Sequence, residues 1–339
     1  MPQPTSSQAL APDPAGTDLA APTPGFPASK TAERAAAWIE ATKPGITRLV
    51  TVTAGVGFVM AWLAPPDRMT CLRATLVGGA CLAGTALSAA GANAINQWME
   101  RDRDARMKRT AGRPIPTGRA TPTQVIGLGL VLAAAGVALL AVVNGVVPAL
   151  VSLACVLSYV LLYTPMKPRT PLSTYAGTIP GALPPMIGWA AASGSGWDEQ
   201  WASLGLWGGW ALVALMVVWQ LPHFFAIGWM YRDDYAAGGY RTLPVVDPSG
   251  RRTARAVLLW SIVLVPVSLT PAWAMPGVVG APYAVLAGVA GLGFLWLCVG
   301  LARERTRDAA RRVFFASIAY LPLVMLAMVA EAVLRTLAS

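Results

Sequence analysis

Apolar residues run through this chain in long, nearly unbroken stretches rather than at the three-and-four spacing of an amphipathic helix. Roughly twenty residues of α-helix cross a hydrocarbon core about 30 Å thick, so a run of that length predicts one crossing. Such runs fall at 46–64, 74–98, 123–143, 146–163, 172–192, 203–230, 256–275, 278–301 and 313–336. Backbone amides in lipid must be paired within their own segment. The pattern therefore predicts an all-α, polytopic membrane protein with about nine transmembrane helices in a bundle. Residues 1–35 stand apart, being rich in Pro, Ala, Thr and Ser. They lack the basic start and apolar centre of a signal peptide and read as a disordered cytoplasmic tail ahead of a membrane domain over 36–339.

Composition agrees, with 55% hydrophobic and only 12% charged residues, far from the balance of a soluble domain. Placing the N-terminus in the cytoplasm puts all of the 26 Lys and Arg on the inner side except Arg68, Arg73 and Arg335. That asymmetry is the positive-inside bias. It also explains the net charge of +10, since the cations sit in juxtamembrane loops and no nucleic-acid module accompanies them. Membrane lipid, and no nucleic acid, is the implied partner of this charge. Cys71, Cys81, Cys155 and Cys298 lie in or beside apolar runs without metal-type spacing and read as small hydrophobes.

Polar residues that could do chemistry collect on the inner side, whereas the outer loops are short and bland, as at Ser193-Gly194-Ser195-Gly196. The second apolar run closes with Asn93 and Asn96, and Glu100 and Asp104 follow it; Asn96, Glu100 and Asp104, four residues apart, share a face of a helix and could jointly offer oxygens to a hard divalent cation. Lys108, Arg109 and Arg113 follow at once, as a polyanion site requires. The next inner loop carries Tyr163, Lys167 and Arg169 between prolines; these cations either snorkel to the interface or grip phosphate oxygens. A third region runs from Trp219 through His223 to Arg232, Asp233 and Asp234. His223 is the only histidine, so any imidazole chemistry falls on it. Trp207, Trp210, Trp219, Trp229 and Tyr231 suit packing or an interfacial belt, and their faces would also suit an allylic cation.

Asn96, Glu100 and Asp104, continuing through Met107, Arg109-Thr110 and Arg113-Pro114, resemble the signature of the UbiA-type membrane prenyltransferases. The likeness extends over about residues 40–335. Pro222-His223-Phe224 with Asp233-Asp234-Tyr235, and the run Gly181 to Trp189, are similar to its haem-modifying branch. The sequence departs from the family pattern in carrying Glu100 where aspartate is common, Pro168 between Lys167 and Arg169, and Arg241-Thr242 before Leu243-Pro244.

The resemblance implies a bundle around a central cavity that opens to the cytoplasmic side of a prokaryotic plasma (inner) membrane. It implies a Mg²⁺-dependent transfer of farnesyl from farnesyl diphosphate to a vinyl group of haem b, with addition of water, giving haem O. Asn96, Glu100, Asp104, Asp233 and Asp234 would then hold Mg²⁺ and, with His223, form the catalytic set. Asn93, Arg109, Arg113, Tyr163, Lys167, Arg169 and Arg232 would bind substrate. A haem A synthase or terminal-oxidase assembly factors would be the protein partners. A prenyltransferase with a quinone-type acceptor and a transporter with polar residues along its pathway are the rival readings.

Overall fold

The computed structural model describes residues 30–64, 69–194 and 196–338, all helical or in connections. Most of the tail expected over 1–35 lies outside the described residues; within it, a helix has already begun at Lys30. This helix, α1 (Lys30–Ala41), buries Ala37 and Ala41 and leaves Trp38 and Ile39 exposed. α2 (Pro44–Leu63) starts on a proline, which has no amide hydrogen to lose at a helix start. α3 (Cys71–Asp104) is 34 residues long and overshoots the predicted apolar run by six residues at its C-terminal end.

α4 (Pro122–Leu139) opens with a capping box in which Thr121 and Gln124 satisfy each other's backbone amides. It ends in a wide π-type turn at Leu140–Asn144. α5 (Val146–Leu157) runs through a second π-type turn, Ser158–Tyr163, into the short α6 (Thr164–Met166). The predicted fifth run is broken into α7 (Ser173–Ala176), α8 (Thr178–Ala182) and α9 (Pro184–Ala192). Pro180, Pro184 and Pro185 lack the amide hydrogens a continuous helix needs.

This broken segment still crosses the bundle. At its start the 167–173 loop meets the 241 region, where Arg241 N–H donates to the Lys167 carbonyl. At its end Gln200, in α10 (Trp197–Ser203), donates to both Asn144 and Gly194 carbonyls at the opposite end. Then come α11 (Trp207–Met230), the short α12 (Arg232–Ala237) and α13 (Leu243–Val246), and the long α14 (Arg251–Ala274), α15 (Ala281–Glu304) and α16 (Arg307–Ala338). Eight helical segments of the described residues are long and apolar enough to span a membrane; α7–α9, tied at one end near Lys167 and at the other near Gln200, run between the two ends of the bundle alongside them.

The ring closes because α2 packs on α3, α9 and α16, α11 on α14 and α16, and α3 on α4. The α2–α9 seam is glycine-lined. A Cβ on Gly57 would sit 1.9 Å from the Pro185 carbonyl oxygen, and one on Gly188 would sit 1.8 Å from that of Ala54. Lipid offers no hydrophobic gain for helix association, so close backbone approach at small residues supplies the packing instead. α11 is the most enclosed of the spans and stands at the centre.

Candidate active site

Polarity inside this bundle is concentrated at one end, the end that carries the loops 105–121 and 231–250. The last turns of α3 place Asn93, Asn96, Gln97, Glu100 and Asp104 on its buried face, at three- and four-residue spacing. Asn96 is completely buried, Glu100 is 5% exposed and Asp104 is 1% exposed. Carboxylates so enclosed require compensating charge. The Glu100 Oε1 atom accepts from Lys167 Nζ at 2.8 Å, and Asp104 Oδ2 accepts from Arg113 Nη1 at 2.5 Å. The second oxygen of Asp104, Oδ1, is buried without a partner.

Lys43 completes the charged cluster. It sits just before Pro44 with φ of 49°, a left-handed conformation unusual for a non-glycine residue, and its Nζ donates to Asn96 Oδ1. Burial, and then the positive charge of Arg113, pull the Lys43 ammonium down to about 7 against the attraction of Glu100. Burial also works against the charged form of Lys167, but the Glu100 carboxylate holds its ammonium well above the ordinary lysine value. The Lys167 Nζ lies 4.5 Å from the centre of the Tyr163 ring, and Tyr163 in turn packs on Tyr159 at 5.5 Å. The π-type turn at 158–163 is what turns these two rings, four residues apart, toward the cluster.

These groups line one cavity of about 370 Å³. Lys43, Glu100, Asp104, Arg109, Arg113 and Lys167 form its charged part; Tyr159, Tyr163, Tyr235 and Tyr240 ring it; Ile187, Met216, Trp219 and Phe224 form its apolar part. Burial, and then the negative charge of Glu100, push the Tyr240 hydroxyl upward, so it stays neutral. Arg109 stacks over Tyr231 and Tyr235, with its guanidinium carbon 5.3 and 5.8 Å from the ring centres.

The structure brings together Asn93, Glu100, Asp104, Arg109, Arg113, Tyr163, Lys167 and His223 on the cavity wall. Asn96 lies behind it. Both of its polar atoms are engaged, Oδ1 by Lys43 and Nδ2 with Thr164 Oγ1 at 2.8 Å, so it fastens α2 and α6 to α3. Asp233, Asp234, Arg232 and Arg169 do not line the cavity. α11 stops at Met230, and the short α12 that follows sends its first acids outward. The Asp233 side chain is 96% exposed and pairs with Arg232 at 3.6 Å. Asp234 accepts from the backbone amides of Lys108 and Arg109, at 3.2 and 3.1 Å. It thereby holds the turn that aims Arg109. Arg169 is exposed beyond Pro168.

Among the charged and tyrosine residues of the cavity, three were not singled out from the sequence. Lys43 looked like any topology-setting cation, although the Lys-Pro pair at the mouth of a span was a signal. Tyr159 was hidden in an apolar run by a π-type turn that periodicity does not announce. Tyr240 follows two glycines, Gly238 and Gly239, whose carbonyls accept from Arg103 and so draw the loop over the end of α3.

Among the described residues, no three His, Cys, Asp or Glu side chains converge to hold a metal on their own. Two carboxylates in a cavity, one with an unpartnered oxygen, nevertheless suit Mg²⁺, which keeps waters and is completed by substrate phosphates.

A family model described as the UbiA prenyltransferase family matches residues 47–320. The chain is similar to proteins named protoheme IX farnesyltransferase. One from Solibacter usitatus is 42% identical over 293 residues, covering 85% of this chain and 95% of the relative. One from Opitutus terrae is 40% identical over 296 residues, covering 87% and 94%. In fold it is similar to a UbiA homolog from Aeropyrum pernix, with TM-score 0.63 and 20% identity over 84% of this chain and 98% of that one. A UbiA homolog from Archaeoglobus fulgidus bound to DMAPP and Mg²⁺ gives TM-score 0.56 and 12% identity over 86% and 98%.

Proposed function

The chain belongs to the UbiA prenyltransferase family, and on that premise we propose that its cavity transfers the farnesyl group of farnesyl diphosphate to a vinyl group of haem b. Water is added in the same reaction, and the products are haem O and diphosphate. One observation carries the reading. A single cavity joins a cluster of two carboxylates and four cations to an apolar, aromatic-walled interior, in a chain aligned over 95% of a relative of that name.

The chemistry follows from that gradient. Diphosphate leaves an allylic carbon only if the negative charge that grows on its oxygens is stabilised. Lys43, Arg109, Arg113 and Lys167 offer charge-assisted hydrogen bonds to those oxygens, stronger for being partly shielded from water. Glu100 and Asp104 would hold Mg²⁺, which when bound would neutralise charge on the diphosphate. The Tyr159 and Tyr163 rings line the same cavity, where an allylic cation needs a quadrupole rather than a nucleophile. The apolar wall accommodates the isoprenoid chain and keeps water from capturing the cation too early. A vinyl carbon of haem b then forms the new bond, and water adds to the porphyrin-side cation.

We assign the charged mouth to the cytoplasmic face of a plasma (inner) membrane on the bias of basic loops. A haem A synthase or an assembling terminal oxidase would receive the product.

The deciding experiment incubates purified protein with haem b, farnesyl diphosphate and Mg²⁺ and weighs the products. The expected product is heavier than haem b by a farnesyl group plus water, and it is absent when Mg²⁺ is omitted. Farnesylation of a quinone-type acceptor with haem b untouched would overturn the assignment of acceptor while leaving the diphosphate site standing.

A further inference from the structure

His223 is held more tightly than a core histidine needs to be. Its ring is sandwiched between Trp219, with centroids 5.1 Å apart and planes at 21°, and Phe314, at 5.0 Å and 28°. Ser317, on the facing α16, fixes both residues of α11 that carry this stack. Its carbonyl accepts from Trp219 Nε1 at 2.8 Å, and its Oγ lies 2.8 Å from His223 Nδ1.

The direction of that second bond can be deduced. A serine hydroxyl has one proton, and Ser317 Oγ already donates it to the Phe314 carbonyl at 2.6 Å. It can only accept from the ring, so Nδ1 carries the proton. In the neutral imidazole the lone pair is then on Nε2. That nitrogen makes no hydrogen bond among the described residues, and the ring lines the cavity.

A histidine whose two faces are covered, whose Nδ1–H is anchored and whose Nε2 is bare has the arrangement of a metal ligand oriented by its surroundings. It cannot, in this form, donate a proton to diphosphate. Resting on the reading of haem b as acceptor, we propose that His223 Nε2 is an axial ligand of the haem iron, with Ser317 as the positioning residue that fixes its tautomer. Ligation would fix the porphyrin by its centre while a vinyl group at its edge reaches toward the charged end of the cavity, which also selects a metalled acceptor over a plain aromatic ring.

The test uses the full chain in lipid nanodiscs with haem b, read by visible absorption and electron paramagnetic resonance. Wild type is expected to show a nitrogen-ligated haem, and His223→Gln to lose that signature and regain it on adding imidazole. Ser317→Ala, which keeps the imidazole but frees its tautomer, should weaken haem binding by about tenfold or more, while Ser317→Thr retains it. Circular dichroism and retained farnesyl diphosphate binding establish that each variant is folded. A wild-type haem spectrum in His223→Gln would overturn the proposal, and it is the result expected if His223 served only to accept a proton from water. Haem O formation by wild type without any nitrogen-ligated band would also overturn it yet leave the function standing, whereas failure to convert haem b at all would remove the function itself.

Discussion

At the scale of single residues, the acids of α3 and the cations facing them separate into groups that act on substrate and groups that hold others in place. On the proposed function, Glu100 and Asp104 belong to the first. Replacing either with alanine removes a carboxylate from the point where diphosphate charge is handled. Turnover should fall at least about a hundredfold, the scale of losing one electrostatic stabiliser, when measured on the fraction of each variant that remains folded. Wild-type rates in both variants, assayed in detergent with Mg²⁺, would refute this. The Glu100–Lys167 pair allows a sharper test, because breaking a buried ion pair leaves one charge stranded at a cost of about 3–5 kcal/mol, whereas replacing both members need not. The double variant Glu100→Gln with Lys167→Met should therefore melt at a higher temperature than Lys167→Met alone. The spacing of Asn96, Glu100 and Asp104 was readable from the sequence because a helix converts four-residue spacing into a shared face. The roles of Asp233, Asp234 and Lys43 were not, since they depend on where a helix break or a left-handed residue points a side chain. Asp234 is the instructive case: its carboxylate is spent on two backbone amides, and only the closure of a turn from a distant helix reveals that.

Elements carry a different kind of information. Hydropathy located eight continuous spans within a few residues of their observed ends, but it could not show that the fifth is three short helices. An apolar run looks alike whether or not prolines interrupt its hydrogen bonds. What holds that broken segment is the seam with α2. Gly188→Ala would drive a methyl group into the Ala54 carbonyl, so it should destabilise the protein by about 1–3 kcal/mol, read as a lowered thermal midpoint. Gly79→Ala, where nothing lies within 4 Å, should leave the midpoint unchanged or raise it, since alanine is the better helix former. Equal losses in the two variants would show that the seam is not what matters. At the start of α14, Asp247 Oδ2 accepts from the Thr253 amide at 2.9 Å, and Ser249 donates to Oδ1. Burial works against this carboxylate, but those hydrogen bonds hold it below the ordinary aspartate value. A depressed value means that the stabilisation is present above the unfolded pKa of about 3.9 and is lost as pH falls through the folded value. Asp247→Ala should thus cost about 1 kcal/mol at neutral pH, and its midpoint should converge on that of wild type as the pH is lowered below about 4.

The whole molecule turns on a polarity: one end of the bundle holds the charged cavity, and the other holds short connections closed by Gln200, Asn144 and Glu331. Nothing in the packing of helices against each other states which end faces the cytoplasm. That information resides in the loops, where Arg101 to Arg119, Arg232 to Arg255 and Arg303 to Arg312 all fall at the cavity end. Moving such cations through a bilayer during insertion is unfavourable, which is why the proposed orientation keeps the end that bears them inside. The consequence can be tested with a probe the protein already has. Cys71, at the start of α3 and therefore at the opposite end, is exposed, while Cys81 and Cys298 are buried and Cys155 is half-buried. In right-side-out membrane vesicles a membrane-impermeant maleimide should label Cys71 without permeabilisation. In a Cys71→Ser background, a cysteine introduced by Arg106→Cys should react only after the vesicles are opened. The reverse pattern would place the cavity mouth outside, where a cytosolic diphosphate could not reach Glu100 and Asp104, and it would overturn the proposed orientation together with the supply route of the donor.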